Sequence, residues 1–287
     1  MPELPEIQTI VNDLNKIILN KKIKKVEIYL PKIVKGVNKD FCSILRNNSF
    51  QKISRCGKFI IIQLSQKNKH LIVHLRMTGQ IIYINKDKTV VGGHSVENNQ
   101  FDFPNKQTHL IIYFQDQSRL FYNDQRQFGF WQIVNPKELK EVQDKLGLNP
   151  LYIEFSLLNF KKLLENKKGS IKAFLLNQKY IAGLGNIYTD ESLFKAYILP
   201  FRKINTLTTK EIGKLYKAIK DILNLSTKYR GTTFNNYVDA EGRKGKFINF
   251  LKIYGKENQK CSRCQKEIIK KIKIAGRGTR YCSYCQK

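Results

Sequence analysis

Residues 170–196 read SIKAFLLNQKYIAGLGNIYTDESLFKA. Two helix-compatible apolar runs flank the turn Gly183-Leu184-Gly185. Glycines let the backbone approach a partner closely, and the helix that follows presents N–H groups able to receive a phosphate. Asn186, at the start of that helix, is placed to cap it or to donate to the phosphate. An ordinary helical hairpin would account for the glycines but not for the basic surroundings.

Working outward, helical patterns extend to about Lys228. The clearest runs from Thr208 to Leu225, where Thr208 and Glu211 form a capping box and Ile212, Leu215, Ile219, Ile222 and Leu223 make the buried face. GTTFNNYVDAEGRKGKF follows as a glycine-rich polar loop. On the other side, residues 5–19 carry a 3.6-period stripe of Ile7, Ile10, Val11, Leu14, Ile17 and Ile18, with Pro5 suited to a first helical position. From Lys22 to about Val134 the segments KKVEIYL, KFIIIQLS, HLIVHLRM, GQIIYIN, THLIIYF, SRLFYND and GFWQIV are short, β-branched and aromatic. That texture predicts an antiparallel sandwich or barrel packed against the first helix. The polar stretch 85–107 lacks periodicity and reads as a long mobile loop.

The 287 residues carry 52 Lys+Arg against 23 Asp+Glu, a net charge of +29, and 11 of the cations are arginine. Such a balance favours a polyanionic partner, nucleic acid before an anionic membrane surface. Hydrophobic residues make up 41%, enough for a packed core. No apolar run approaches the roughly 18 residues of a membrane span, and MPELPEIQTI lacks the basic start of a secretory signal. The expectation is a cytoplasmic protein with no membrane partner. Cys261, Cys264, Cys282 and Cys285 form C-x2-C-x17-C-x2-C, the spacing of a zinc site. Four thiolates close a tetrahedron, so the one Zn²⁺ expected there is structural.

The chain opens Met1-Pro2-Glu3. Removal of Met1 would expose Pro2 as a secondary amine, and an α-amine has a reference pKa near 8 against about 10.4 for lysine. Attack by such an amine on a sugar carbon gives an iminium, the electron sink of covalent amine catalysis. Glu3 and Glu6 flank the helix start, where either can move protons. Taken alone, these residues better suit a stiff start whose acids complement the helix dipole.

MPELPEI, ISRCGKF, NDQRQFG, AGLGNIYTDESLF and the cysteine knuckles occur in one order. Together they resemble bacterial formamidopyrimidine-DNA glycosylase, over essentially the whole chain, and Leu4 in PELPE favours this branch over its sister endonuclease VIII, which typically begins PEGPE. The resemblance implies an α+β, multidomain fold: an N-terminal helix-flanked antiparallel β-sandwich over 2–135, a linker over 136–150, a helical helix–two-turn–helix domain over 151–256 with a base-covering loop at 231–247, and a C-terminal zinc β-hairpin over 257–287. DNA would lie between the domains. It implies Pro2 as Schiff-base nucleophile, Glu3 as the acid/base group with Glu6 in support, and Lys58 as the hairpin lysine that contacts phosphate and assists proton transfer. Met77, Arg126 and Phe128 match the trio that fills the hole left by a flipped base, Arg126 addressing the orphaned partner base. Lys172, Asn186 and Arg277 match phosphate ligands. Gln127 and Cys56 depart from the family, standing where a basic residue is common.

The implied activity is a bifunctional glycosylase and AP lyase that removes oxidised purines from damaged double-stranded DNA, as a monomer without an obligate protein partner. Two alternatives stay open. One is an endonuclease VIII-like enzyme for oxidised pyrimidines, since base choice depends on a pocket that the sequence does not display. A non-catalytic zinc-ribbon binder suits the charge and the cysteines but leaves Pro2-Glu3 and Lys58 unexplained.

Overall fold

The computed structural model describes residues 2–86, 89–93, 103–232 and 246–287. The chain divides into two compact units, Met1–Asp144 with Arg230–Lys246, and Lys145–Tyr229 with Phe247–Lys287.

In the first unit, helix α1 (Leu4–Ile17) buries Leu4, Ile7, Ile10, Val11 and Leu14 along one face, as its sequence period requires. One sheet runs in the order β1 (Ile23–Ile28), β8 (Thr108–Phe114), β9 (Arg119–Asp124), β6 (Gly79–Ile84), β7 (Thr89–Gly93), and is antiparallel throughout. The other runs β2 (Val34–Lys35), β10 (Phe130–Val134), β5 (His70–His74), β4 (Phe59–Leu64), β3 (Phe50–Cys56), with a single parallel step between β2 and β10. Alternate residues of each sheet point inward. Ile53, Ile60, Ile62, Leu71, Val73 and Trp131 from one sheet meet Ile81, Leu110, Ile112, Leu120 and Tyr122 from the other, and α1 packs into the same core. Helix α2 (Asn38–Leu45) adds Phe41 and Leu45.

Two expectations need correction here. The stretch 85–107 is not uniformly a loop, because Thr89–Gly93 pairs with β6 as an edge strand; residues 87–88 and 94–102 lie outside the described residues. The segment 136–150 is not simply a linker. It opens with helix α3 (Pro136–Asp144), started by reciprocal bonds: the Asn135 N–H donates to Glu138 Oε2 at 2.8 Å and the Glu138 N–H to Asn135 Oδ1 at 3.0 Å. Leu139 and Val142, one turn apart, pack on Phe59, Ile72, Phe130 and Val134.

The second unit holds α4 (Leu157–Leu164), α5 (Ile171–Leu176), α6 (Asn186–Ala196) and α7 (Thr209–Lys228), followed by the hairpin β11 (Lys270–Ile274) and β12 (Arg277–Tyr281). The capping box of α7 forms as read: the Glu211 N–H donates to Thr208 Oγ1 at 3.3 Å and the Thr208 N–H to Glu211 Oε2 at 2.8 Å. The cysteine element does not stand apart from the helices. Phe194 of α6 packs with Ile253, Cys261, Ile269 and Cys282 in one buried cluster. Glu191, 2% exposed, accepts the backbone N–H groups of Lys252, Ile253 and Tyr254 at 2.9–3.1 Å, which fastens the approach to the hairpin onto α6.

Candidate active site and nucleic-acid interface

Pro2 and Glu3 are buried at the start of α1, with Glu3 3% exposed. The Glu3 N–H donates to Glu6 Oε2 at 2.9 Å. The other oxygen of Glu6 accepts the Thr232 N–H at 2.7 Å and the Thr232 hydroxyl at 3.0 Å. Thr232 also bridges to Lys246, closing the stem of the stretch expected to cover the base, of which 233–245 lie outside the described residues. The stem is anchored a second time by Arg230, which pairs with Asp13 of α1 at 2.5 Å. Gly231 sits at φ +79°, and a Cβ there would come within 2.6 Å of Glu6 Oε1. Only glycine meets both conditions without strain.

Lys58 lies in the two-residue turn between β3 and β4, 7% exposed. Arg55 holds that turn against α1: its Nη1 donates to the Gly57 carbonyl at 3.2 Å and its Nε to Gln8 Oε1 at 3.0 Å. The structure therefore brings the Lys58 turn beside the helix that carries Glu3 and Glu6. Arg55 and Gln8 were not picked out from sequence; their roles come from a contact between residues 47 positions apart.

His74 is another residue the sequence did not single out. It is 8% exposed, and its Nδ1 accepts the Arg76 N–H at 3.0 Å, which puts the ring proton on Nε2. Burial first, then the charges of Arg76, Lys58 and Lys35, push its pKa down to about 3. The same three cations mark a concentrated positive field around one imidazole. The alternation of HLIVHLR with a lysine-rich neighbourhood carried a faint signal of it.

Arg126 and Phe128 lie on one turn, tied through Thr78 to the turn that carries Met77. Phe128 is 55% exposed despite its size, and the Arg126 guanidinium lies over its ring at 4.8 Å. Thr78, next to Met77, accepts the Arg126 N–H at 3.0 Å. An exposed aromatic stacked on a cation is not core packing. Gln127 between them is exposed at φ +56°. Cys56 is half-buried, and burial pushes its thiol pKa up, so it offers no charge in place of a basic residue.

In the second unit, Gln178 braces the glycine turn by donating to the Leu184 carbonyl at 2.7 Å and accepting the Gly183 N–H at 2.9 Å. Gly185, not Asn186, occupies the cap position of α6, and the Asn186 amide donates to the Gly278 carbonyl at 2.9 Å. Arg277, exposed, sits beside that contact at the start of β12. Lys172 does not fit its expected part as a surface phosphate ligand. Its side chain is 0% exposed and its ammonium pairs with the equally buried Asp190 at 2.6 Å. Asp190 also accepts the Arg280 N–H at 3.1 Å, so the pair docks β12 on α5 and α6. Burial lifts the Asp190 carboxyl to about 6, against the opposing pull of Lys172.

The sulfurs of Cys261, Cys264, Cys282 and Cys285 lie within 4.8 Å of one another. The Cys261–Cys285 and Cys264–Cys282 separations are both 3.8 Å. A tetrahedron with zinc–sulfur bonds of about 2.3 Å has edges of about 3.8 Å, so this donor set fits a metal ion. Among the described residues no helix is long and apolar enough to cross a membrane.

Residues 1–131 match the family model of the formamidopyrimidine-DNA glycosylase N-terminal domain, and residues 146–237 that of the formamidopyrimidine-DNA glycosylase H2TH domain. A formamidopyrimidine-DNA glycosylase of Carboxydothermus hydrogenoformans is 40% identical over 271 residues, 94% of each chain. One of Mycoplasma mobile is 38% identical over 275 residues, 95% of this chain and 94% of the other. The solved complex of Lactococcus lactis Fpg with DNA containing an abasic site superposes with a TM-score of 0.87 at 34% identity, covering 99% of both chains. A variant of the Lactococcus lactis protein bound to DNA containing Fapy-dG gives 0.87 at 35% identity, covering both chains fully. The architecture is that of a DNA glycosylase of base excision repair, and the chain belongs to the formamidopyrimidine-DNA glycosylase family.

The His74 geometry gives a pH-dependent outcome. Its folded pKa of about 3 lies below the ordinary 6.5, so protonation favours unfolding. The stabilising contribution is complete above about pH 6.5 and is lost as pH falls toward 3. Nitrogen-detected NMR should show the His74 ring, assigned by its loss in His74→Gln, held as the neutral Nε2–H tautomer from pH 8 down to 5. Titration of the His74 signal near pH 6.5 would contradict this environment.

Proposed function

We propose that this glycosylase removes oxidised purines from duplex DNA through a Schiff base on Pro2 and then cuts the strand by β- and δ-elimination. The observation that carries the reading is the helix start: Pro2 and Glu3 buried together, with the Glu3 N–H held by Glu6. With Met1 removed, the Pro2 amine sits at the positive end of α1, where a protonated amine is disfavoured and a neutral, nucleophilic one is favoured. Its nitrogen forms a bond to C1′ as the glycosidic bond breaks, and the base leaves with a proton. The nitrogen lone pair then breaks the C1′–O4′ bond, O4′ takes a proton, and the ring-opened sugar becomes an iminium that acidifies the C2′ proton. Removal of that proton expels the 3′ phosphate, and loss of the C4′ proton in the second elimination expels the 5′ phosphate. Glu3 is the group within this site suited to exchange protons with the sugar. Lys58, beside the same helix, contributes charge next to the scissile phosphate.

Met77 and Phe128 would enter the stack vacated by the flipped nucleotide, and Arg126 would address the base left without a partner. Arg277 and Asn186, joined through Gly278, would hold flanking phosphates. Fapy-dG in a DNA complex of the Lactococcus lactis relative supports a purine-derived lesion over a pyrimidine one. Zn²⁺ held by Cys261, Cys264, Cys282 and Cys285 would be structural, since four thiolates leave no open position and β11–β12 has too little core of its own. It would shape the hairpin that presents Arg277.

Duplexes with 8-oxoguanine, a formamidopyrimidine, thymine glycol or no lesion test the reading. The purine lesions should be excised and the strand cut on both sides, while Glu3→Gln keeps binding but loses at least about 100-fold in excision rate. Faster removal of thymine glycol would favour the pyrimidine-directed alternative. Excision of no lesion would favour the non-catalytic one.

Lesion-free duplex affinity should fall steeply with salt. Arg277→Ala should flatten the log–log salt slope by about one unit, whereas Lys172→Ala, altering a buried ion pair, should leave the slope in place. The reverse result would return Lys172 to the phosphate contacts.

Cys282→Ser should lower zinc content from one per chain and weaken DNA binding, measured by metal analysis and filter binding. The first unit has its own core and should keep its strand signal by circular dichroism. Full DNA binding by the zinc-free variant would remove the hairpin from the interface.

A further inference from the structure

Asp124 ends β9 and is 0% exposed, yet nothing in the chemistry above uses it. Four donors converge on its carboxylate. Oδ1 accepts the Thr78 hydroxyl at 2.5 Å and the Arg126 N–H at 3.3 Å. Oδ2 accepts the Gly129 N–H at 2.7 Å and the Tyr122 hydroxyl at 3.2 Å. Its own backbone is fixed as well: the N–H donates to the Gln107 carbonyl at 3.0 Å, and the carbonyl accepts His109 Nε2 at 2.8 Å and the Gln127 N–H at 3.2 Å.

Three of these donors are the immediate supports of the three side chains on the two turns. Thr78 adjoins Met77, Gly129 adjoins Phe128, and the third is the backbone of Arg126 itself. Both turns pass through left-handed residues other than glycine, Arg76 at φ +51° and Gln127 at +56°. Such a backbone persists only where its surroundings hold it. Gly129 is held so closely that a Cβ there would lie 1.8 Å from the Tyr122 hydroxyl oxygen and 3.1 Å from Asp124 Oδ2. One buried carboxylate thus locks two separate turns into a single rigid unit.

We propose that Asp124 is a positioning residue that sets the enzyme's discrimination of the base opposite the lesion, by fixing the Arg126 backbone relative to Met77 and Phe128. The inference rests on the reading of that trio given above. Discrimination by a guanidinium requires its donors to meet one base edge and miss another, and that demands a fixed origin for a long side chain. Asp124→Asn is the isosteric test. An amide places an NH₂ group where one oxygen stood, and whichever way it turns it faces a backbone N–H, of Arg126 or of Gly129. A hydroxyl can rotate to accept instead, but a backbone N–H cannot. Either the Gly129 N–H loses its acceptor on Asp124, or the Arg126 N–H loses one of its two acceptors and is left to Thr78 Oγ1.

Single-turnover excision of 8-oxoguanine opposite cytosine and opposite adenine reads the effect, with borohydride trapping of a single-stranded abasic oligonucleotide as the second measurement. The abasic strand has no partner base and no stack to fill. Asp124→Asn should bring the cytosine-to-adenine rate ratio at least fivefold closer to one and slow duplex excision, while trapping changes by less than twofold. Thr78→Val, which removes the hydroxyl shared by Asp124 and Arg126, should move the ratio the same way, and Thr78→Ser should restore it within twofold. The Thr78 pair decides the matter if Asp124→Asn does not fold. A wild-type ratio near one, or a ratio unmoved in Asp124→Asn and Thr78→Val, overturns the proposal. Failure of the wild type to trap the abasic strand would instead overturn the Schiff-base reading.

Discussion

The carboxylate of Glu6 has to satisfy two segments at once. One oxygen grips the Glu3 N–H and the other takes both donors of Thr232, 226 residues away. Without the first bond the chain start would fray, because the opening N–H groups of a helix have no partner inside it. Without the second, the stem at Thr232 and Lys246 would lose one of its ties to α1, the Arg230–Asp13 pair remaining. The requirement reaches Gly231, where both the backbone angle and the nearness of Glu6 exclude a side chain. The contact fixes Glu3, and with it the backbone beside Pro2, the proposed nucleophile.

The same device recurs across the molecule. A chain with 52 cations and 23 acids has few carboxylates to spare, and several are buried as internal anchors. Asp13 takes Arg230 at the root of the stem. Glu191 gathers three backbone N–H groups ahead of the hairpin, and Asp190 joins β12 to Lys172. Glu191 and Asp190 are each satisfied by more than one donor, as burial of such a group demands. The division of labour follows from charge: surface cations such as Arg277 remain open to a polyanion, while buried acids fix the elements that present them.

Much of this was legible in the residues. The period of α1, the alternating strands, the capping box of α7 and the cysteine spacing are local patterns, and local patterns survive in sequence. Met77, Arg126 and Phe128 could be named from motif, although only the structure shows a half-exposed ring under a guanidinium. What sequence hid depends on distant pairing. Lys172 resembles every other lysine until α6 brings Asp190 against it. The strand Thr89–Gly93 has too few residues for a period to emerge, and its identity comes from pairing with β6. Arg55, His74 and Asp124 look like a strand cation, a strand histidine and a turn aspartate, and their parts appear only when Gln8, Arg76 and Thr78 arrive from other elements.

The central claim is that the amine at the chain start, and not a lysine side chain, attacks the sugar. Borohydride reduction during reaction on an 8-oxoguanine duplex, followed by proteolysis and mass spectrometry, locates the adduct directly. The DNA remnant should sit on the peptide that begins at Pro2, with no adduct on protein that retains Met1, whose Pro2 nitrogen is an amide without a nucleophilic lone pair. An adduct on the peptide containing Lys58, or equal trapping of protein that keeps Met1, would contradict it.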